Sequence, residues 1–327
     1  MSRADFHHRA RVALVGLLLL RAAVVGVPQL TTLWQQERGG MLVSVAAFVI
    51  AAAIAASGRG GNRAGSTAAQ LGQTVVVLAV LTTLLAPLLT SHPPSHDPTP
   101  LSASPRWGHW FGTDGARRDV WTLTLYGGRV SLGVSVLAVA IGTALGTSVG
   151  VVAGFARGWT ERALMGLTDL LLALPRLVLL LVAMGLVQGT SGRPLVVAVV
   201  LGLTGWMGIA RVVRTQVLSI RELDYVTAAR ALGVSEPEIV WRHLLPAVLP
   251  SVAMYATLAL GGTMLTEAAL AFLGTGAGGG NPSWGALVAA GAATVTSAWW
   301  PMVFPTLAIA FSVVGANLLA SRLEPAS

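Results

Sequence analysis

Cysteine is absent from the 327 residues, and so is lysine. Without cysteine the chain has no disulfide, no thiolate metal ligand and no cysteine nucleophile, and its redox compartment is unreadable. Without lysine it has no Gly-x-x-x-x-Gly-Lys-Ser/Thr phosphate loop. Charge is scarce as well, at 10% of residues, where a soluble domain carries about 25%. The net charge of +8 rests on arginine alone. Nucleic-acid binding needs arginines gathered on one solvated face; here they are scattered through the connectors between apolar runs, where they report topology.

What the chain has in excess is apolar sequence, 54% of its residues. Runs approaching the roughly 20 helical residues needed to cross a bilayer recur along it. Apolar length and breaker residues place spans at about 12–30, 41–57, 71–90, 131–154, 163–187, 194–213, 248–272 and 300–320. The fold class is therefore all-α, a polytopic transmembrane helical bundle. Most arginines fall on one side if both termini are cytoplasmic, and four of the six outside lie in the long 91–130 loop, where the positive-inside bias counts least. Arg3, Arg9 and Arg11 before "VALVGLLLL" have the look of a signal peptide, but Arg21 interrupts the run and no clear cleavage site follows. The Gly-rich stretch 57–70 reads as a flexible linker. It divides an N-terminal two-helix hairpin, with its linker residues 1–70, from a six-span core, residues 71–327.

One polar insert stands out, "YVTAARALGVSEPEIVWRHLLP", residues 225–246. Its residues favour helix as far as Leu232, and Gly233 supplies the positive φ that commonly ends one. Ser235 and Glu238 are spaced as a capping box, with Pro237 tolerated in the next first turn. Pro246 and Pro250 should then break that helix before the following span. Two to eight residues would suffice to join two spans, so a helical hairpin here calls for a purpose. Leu223, Tyr225, Leu232, Ile239 and Leu244 offer an apolar ridge, and Ala228, Ala229 and Ala231 allow close approach. From pattern alone the partner is either a protein surface or the lipid interface.

"AARALG" followed by "IVWRHLLP" closely resembles the EAA loop of ABC importer permeases. Two further blocks, "FGTDGARRDVWTLTLYGGRVSLGVS" (111–135) and "EAALAFLGTGAGGGNPSWGALVAAG" (267–291), resemble the dipeptide, oligopeptide and nickel C-subunit type. Thr227 stands where the loop's naming glutamate usually is, and Arg117 replaces a usual glycine. The resemblance covers about residues 71–325. It implies a coupling loop, about 215–247, that inserts into a cytoplasmic ATPase, with Ala228, Ala229, Gly233, Ile239, His243, Leu245 and Pro246 as the coupling positions. It further implies a second homologous permease, two ATPase subunits that hold ATP and Mg, and an extracytoplasmic solute-binding protein. The implied work is import of di- or oligopeptides by alternating access at the bacterial cytoplasmic membrane, with nickel or another small solute as the alternative cargo.

The remaining polar residues leave choices open. Asp169 and Glu267 lie in or near spans, where an ionised group costs about 2.5 kcal/mol or more unless paired or hydrated. Helix-interface hydrogen bonding is the favoured role, against a substrate path or a proton relay in a secondary transporter. Pro175 should kink its helix. Arg176, next to it, either faces the path and meets a peptide carboxylate, pairs with Asp169, or lies in a wet crevice. Trp284 reads as part of a gate, against an ordinary outer turn with an interfacial tryptophan. His92, His96, Asp97 and His109 have the donor types for a borderline metal, but loop histidines are commonly just solvated. No nucleophile, base and oxyanion constellation is visible, which speaks against an enzyme.

Overall fold

The computed structural model describes residues 67–90, 102–156, 158–186, 193–276, 282–321 and 323. The expected N-terminal hairpin, 12–30 and 41–57, lies outside the described residues, as do His92, His96 and Asp97. The helices are α1 Thr67–Leu84, α2 Ala86–Leu89, α3 Val120–Ala156, α4 Trp159–Ala173, α5 Arg176–Leu186, α6 Arg193–Leu203 and α7 Trp206–Ile220. They continue as α8 Asp224–Ala231, α9 Glu236–Ile239, a π-helical turn Val240–Leu244, α10 Leu245–Phe272, α11 Trp284–Ala292 and α12 Trp300–Ala320. Among the described residues, four helical stretches are long and apolar enough to cross a membrane: Val120–Ala156, Arg193–Ile220, Glu236–Phe272 and Trp300–Ala320. The bent pair α4–α5 makes a fifth if it is one span.

The differences from expectation have local causes. Helix begins at Thr67, within the stretch assigned to the linker, and the span 71–90 is interrupted at Leu85, just before Pro87. The span 163–187 is not straight: α4 and α5 meet at 89°, and the missing N–H of Pro175 accounts for the break. The span placed at 131–154 starts at Val120. Asp119 caps it, its Oδ2 accepting from the Thr122 N–H and hydroxyl at 2.8 Å each, so polar Tyr126 and Arg129 enter the helix instead of the loop. Arg129 is nonetheless buried, donating to the Thr83 and Leu84 carbonyls at 2.8 and 3.1 Å. It thereby satisfies the last turn of α1, whose dipole favours a cation.

The long helix α3 is the axis of the bundle. Gly142, Gly146, Gly150 and Gly154, one every four residues, bring it against α7: a methyl at Gly150 would lie 2.7 Å from the Ala210 carbonyl and from Val213 Cβ. Lipid tails are as apolar as the helix surfaces, so close backbone packing of this kind holds membrane helices together. Helix α1 rests on α12, while α6 and α10 also lie along α3.

The end of the bundle at the start of α3 is closed by residues 102–119. His109 Nδ1 meets Asp119 Oδ1 at 3.0 Å with both side chains buried, Trp300 Nε1 donates to the Thr113 carbonyl at 2.9 Å, and Phe111 stacks on Phe304 at 3.8 Å. His109 is thus a buried structural residue, not a solvated one.

Candidate functional site

The polar insert forms the helical hairpin at the opposite end of α3. Helix α8 ends in a Schellman turn: Gly233 has φ +80, its N–H donates to the Arg230 carbonyl, and the Val234 N–H reaches the Ala229 carbonyl, each at 3.1 Å. Both carbonyls would otherwise be left without a partner at the helix end. Ser235 occupies the N-cap of α9, yet its side chain makes no cap bond, so the expected capping box does not close. The carboxylates nearby turn to arginine: Arg230 Nε donates to Glu236 at 3.0 Å and Arg242 pairs with Glu238. The prolines do not break the second helix, because Glu236 to Phe272 form one continuous stretch. The π-helical turn shifts the ladder by one residue, the Leu245 N–H donating to Val240, and Pro246 then falls in the first turn of α10, where a missing N–H costs little. The hairpin is therefore the direct extension of a span.

Its two faces differ. Val226, Ile239 and Leu244 are fully buried and form one cluster with Val151, Val213, Val217 and Val248 of the bundle. The expected ridge splits accordingly: Ile239 and Leu244 face the bundle, while Leu223, Tyr225 and Leu232 stay exposed. Trp241, 70% exposed, joins them; an aromatic beside Arg242 and His243 in "IVWRHLLP" is its signal in the sequence, and the ridge read from pattern omits it. Of the coupling positions, Ile239 is buried, Ala229, His243 and Leu245 are half-buried, and Ala228, Gly233 and Pro246 are exposed. His243 lies against the Tyr225 ring, centroids 5.9 Å apart.

Glu267 and Trp284 come together at a second place, and Arg176 does not join them. Glu267 is 1% exposed and its Oε2 accepts from the Ser131 hydroxyl at 3.1 Å. The same Ser131 oxygen accepts from the Trp284 backbone N–H at 3.0 Å, and Trp284 Nε1 donates to the Thr124 carbonyl at 2.7 Å. Trp284 is buried, so it is not an interfacial tryptophan. Ser283 caps α11 through the Ala286 N–H. This short helix is thus pinned on α3 and α10, its Gly285 resting against Ala268 so closely that a methyl would lie 2.5 Å from the Ala268 Cα. Glu267 thus bonds across the helix interface through Oε2, while its Oε1 is buried with no hydrogen-bond partner among the described residues.

Arg176 opens instead into a cleft of about 670 Å³ walled by α3, α4–α5, α6–α7 and α10. Its expected alternative partner, Asp169, pairs with Arg211. Glu161 pairs likewise with Arg214, so two ion pairs strap α4 to α7. Arg221 adds a third tie, donating to the Gly154 carbonyl at the end of α3.

An apolar helical bundle with a helical lever at one end, a broken helix and a cleft at mid-span is the shape of a membrane transport subunit. Residues 146–326 match the family described as the binding-protein-dependent transport system inner membrane component, and the chain belongs to it, as the permease subunit of an ABC importer. It is 36% identical over 226 residues to the glutathione transport system permease protein GsiD of Escherichia coli O157:H7, covering 69% of this chain and 74% of the relative. It is 34% identical over 232 residues to the dipeptide transport system permease protein DppC of Bacillus subtilis, covering 70% and 71%. The chain is accordingly a transport subunit, one component of a transport assembly in the inner membrane.

Proposed function

We propose that the chain forms half of the membrane channel of a di- or oligopeptide importer, paired with a second homologous permease and served by two cytoplasmic ATPases and an extracytoplasmic solute-binding protein. The observation that carries this reading is the hairpin, a lever continuous with the span α10, buried on its bundle side and carrying large apolar side chains among charged ones on its free side. Its exposed Leu223, Tyr225, Leu232 and Trp241, flanked by Arg230 and Arg242, fit a groove on an ATPase. Ala228, Ala229, Gly233, Ile239, His243, Leu245 and Pro246 make the coupling surface and its support. ATP and Mg bind in the partners, whose closure pushes the hairpin and rocks the bundle between inward and outward openings. Both termini are cytoplasmic in this reading, which puts most of the connector arginines inside. Residues 1–70 are an added membrane module on the 71–327 core. The peptide cargo is supported by the transport functions that the glutathione and dipeptide relatives carry in their names.

The test is reconstitution of the four components in vesicles with the binding protein outside and ATP inside. Dipeptide uptake that requires ATP and all components is expected. Uptake by this chain alone, driven by a proton gradient and indifferent to the ATPases, would overturn the reading.

A further inference from the structure

We propose that the mid-span cleft is a carboxylate-binding station on the transport path, with the Arg176 guanidinium as its cation and the Tyr255 hydroxyl as its second donor. It selects an anionic or zwitterionic cargo with a free carboxylate over a metal cation. The proposal rests on the importer reading above and adds to it the chemistry the membrane subunit itself prefers.

Three independent features converge on this place. The first is charge. Arg211 and Arg214 are each tied to a carboxylate and Arg221 to a carbonyl, whereas Arg176 makes no hydrogen bond or ion pair to the described residues. Asp169, the one acidic residue on the neighbouring half-helix within reach of it in sequence, is occupied by Arg211. A guanidinium in the middle of a span must face water or a counter-charge, and Arg176 is exposed to the cleft, where an anionic cargo group can supply that counter-charge.

The second is backbone. The break between α4 and α5 falls at Leu174 and Pro175, and a tightened turn at Thr204 and Gly205 interrupts the otherwise continuous Arg193–Ile220 stretch; all four residues line the cleft. Arg176 is the first residue of α5, so the positive end of that helix dipole adds to its charge. A broken span whose half-helix N-terminus turns to an anionic group is how membrane carriers build solute sites. Gly205 and Gly208 keep the wall low: a methyl at Gly205 would stand 3.4 Å from Arg176 Nη2, and one at Gly208 would strike the Tyr255 hydroxyl at 2.6 Å. A carboxylate matches the guanidinium fork, which donates two parallel N–H bonds to its oxygens.

The third is connection. Tyr255 packs against the cluster that anchors the hairpin, so a movement of the lever reaches one of the two donors. The other large crevice of the bundle, about 460 Å³ between α1, α3, α10 and α12, also touches that cluster through Val252, but it has no charged residue on its walls.

The absence of cysteine makes the test clean, since Thr204→Cys places a single thiol of this subunit in the cleft. In the assembled transporter, with partner subunits free of cysteine, its modification is timed with anionic sulfonatoethyl and cationic trimethylammonioethyl methanethiosulfonate. The anionic reagent is expected to react faster by at least about tenfold, on the scale of one unit charge a few ångströms away. Arg176→Gln should abolish that preference and Arg176→Lys should keep it. Equal rates with Arg176 intact, or faster reaction of the cation, would overturn the proposal, as would a thiol that neither reagent reaches in any nucleotide state. If Arg176→Gln does not assemble, the ratio measured with Arg176 present still decides. ATP-driven dialanine uptake, run in parallel, should fall on the order of tenfold in Arg176→Gln, as for loss of a charge-assisted hydrogen bond. Normal wild-type uptake with no anion preference at the thiol sinks the station and leaves the importer reading standing. No ATP-driven uptake of dialanine or any other dipeptide in the wild type sinks the peptide cargo.

Discussion

The two ends of α3 solve opposite problems. At the 102–119 end the polar groups turn inward and pair with one another: His109 with Asp119, Glu267 with Ser131, and the indoles of Trp284 and Trp300 with backbone carbonyls. At the hairpin end the ion pairs stand half in solvent and Leu232, Tyr225 and Trp241 are exposed. A buried hydrogen-bond network of this kind favours one arrangement and resists sliding, although Glu267 Oε1 is buried without a partner among the described residues. An exposed apolar face on a rigid stalk is built to be completed by something else. The first end is an internally paired anchor, although Trp107 and Trp110 stand exposed on it, and the second is the proposed handle.

The largest effect should come from breaking the anchor. Trp284→Ala removes a buried indole together with its bond to the Thr124 carbonyl, and should destabilise by roughly 3–5 kcal/mol. Thermal unfolding in detergent, compared with wild type, measures it. Loss of transport here would track loss of fold.

At the handle, Gly233→Val should cost about 1–2 kcal/mol, the ordinary strain of forcing an L side chain to positive φ. No atom lies within 4 Å of the place a Cβ would take there, so the cost is backbone alone. Activity should therefore follow conformational tolerance, Gly above Asn above Ala above Val, in ATP-driven uptake. Membrane insertion should survive in all four. An order that follows side-chain size regardless of φ would contradict the turn.

Arg117 supplies the reverse case at the anchor. It sits at φ +58, at the position where the resembling permeases usually have glycine. Its neighbours Asp114 and Arg118 close the turn around it, Asp114 Oδ1 accepting from the Ala116 and Arg118 N–H groups at 2.9 and 2.8 Å. Arg117→Gly relieves the strain but loosens the unfolded chain, and the net gain should be only about 0.5 kcal/mol. A melting point that rises slightly, with uptake unchanged, is the expected result.

How much of this was legible in the sequence follows from the range of the interactions involved. The Gly233 turn, the Pro175 break and the apolar spans are local, fixed by φ preference, a missing N–H and length. The glycine stripe on α3 was equally plain in "GTALGTSVGVVAG" and needed only a helical period to be seen. The capping box failed because Glu236 and Glu238 had guanidinium partners that spacing cannot rank. Pro246 misled because a π-helical turn puts it in the first turn of α10, and nothing local announces that; Pro250 is carried inside α10 itself. Which of Arg176, Glu267 and Trp284 share a place depends on contacts such as Ser131 to Glu267, 136 residues apart, and only the assembled helices settle that.

The smallest effect on stability should be the most telling about function. Trp241 projects from the π-helical turn with 70% of its surface free, so Trp241→Ala removes little packing inside the chain, and its stability should stay within about 0.5 kcal/mol of wild type. If the exposed face is completed by an ATPase, an aromatic anchor at such an edge is the type of residue that dominates an interface, and its loss should weaken binding by about 2 kcal/mol or more. Co-purification of the ATPases with the permease pair, and ATP-driven uptake, should both drop while the melting point holds. The same substitution at Trp284 should do the opposite, costing the fold first. If Trp241→Ala leaves ATPase binding intact, the handle is held by other residues and the contrast between the two ends loses its functional meaning.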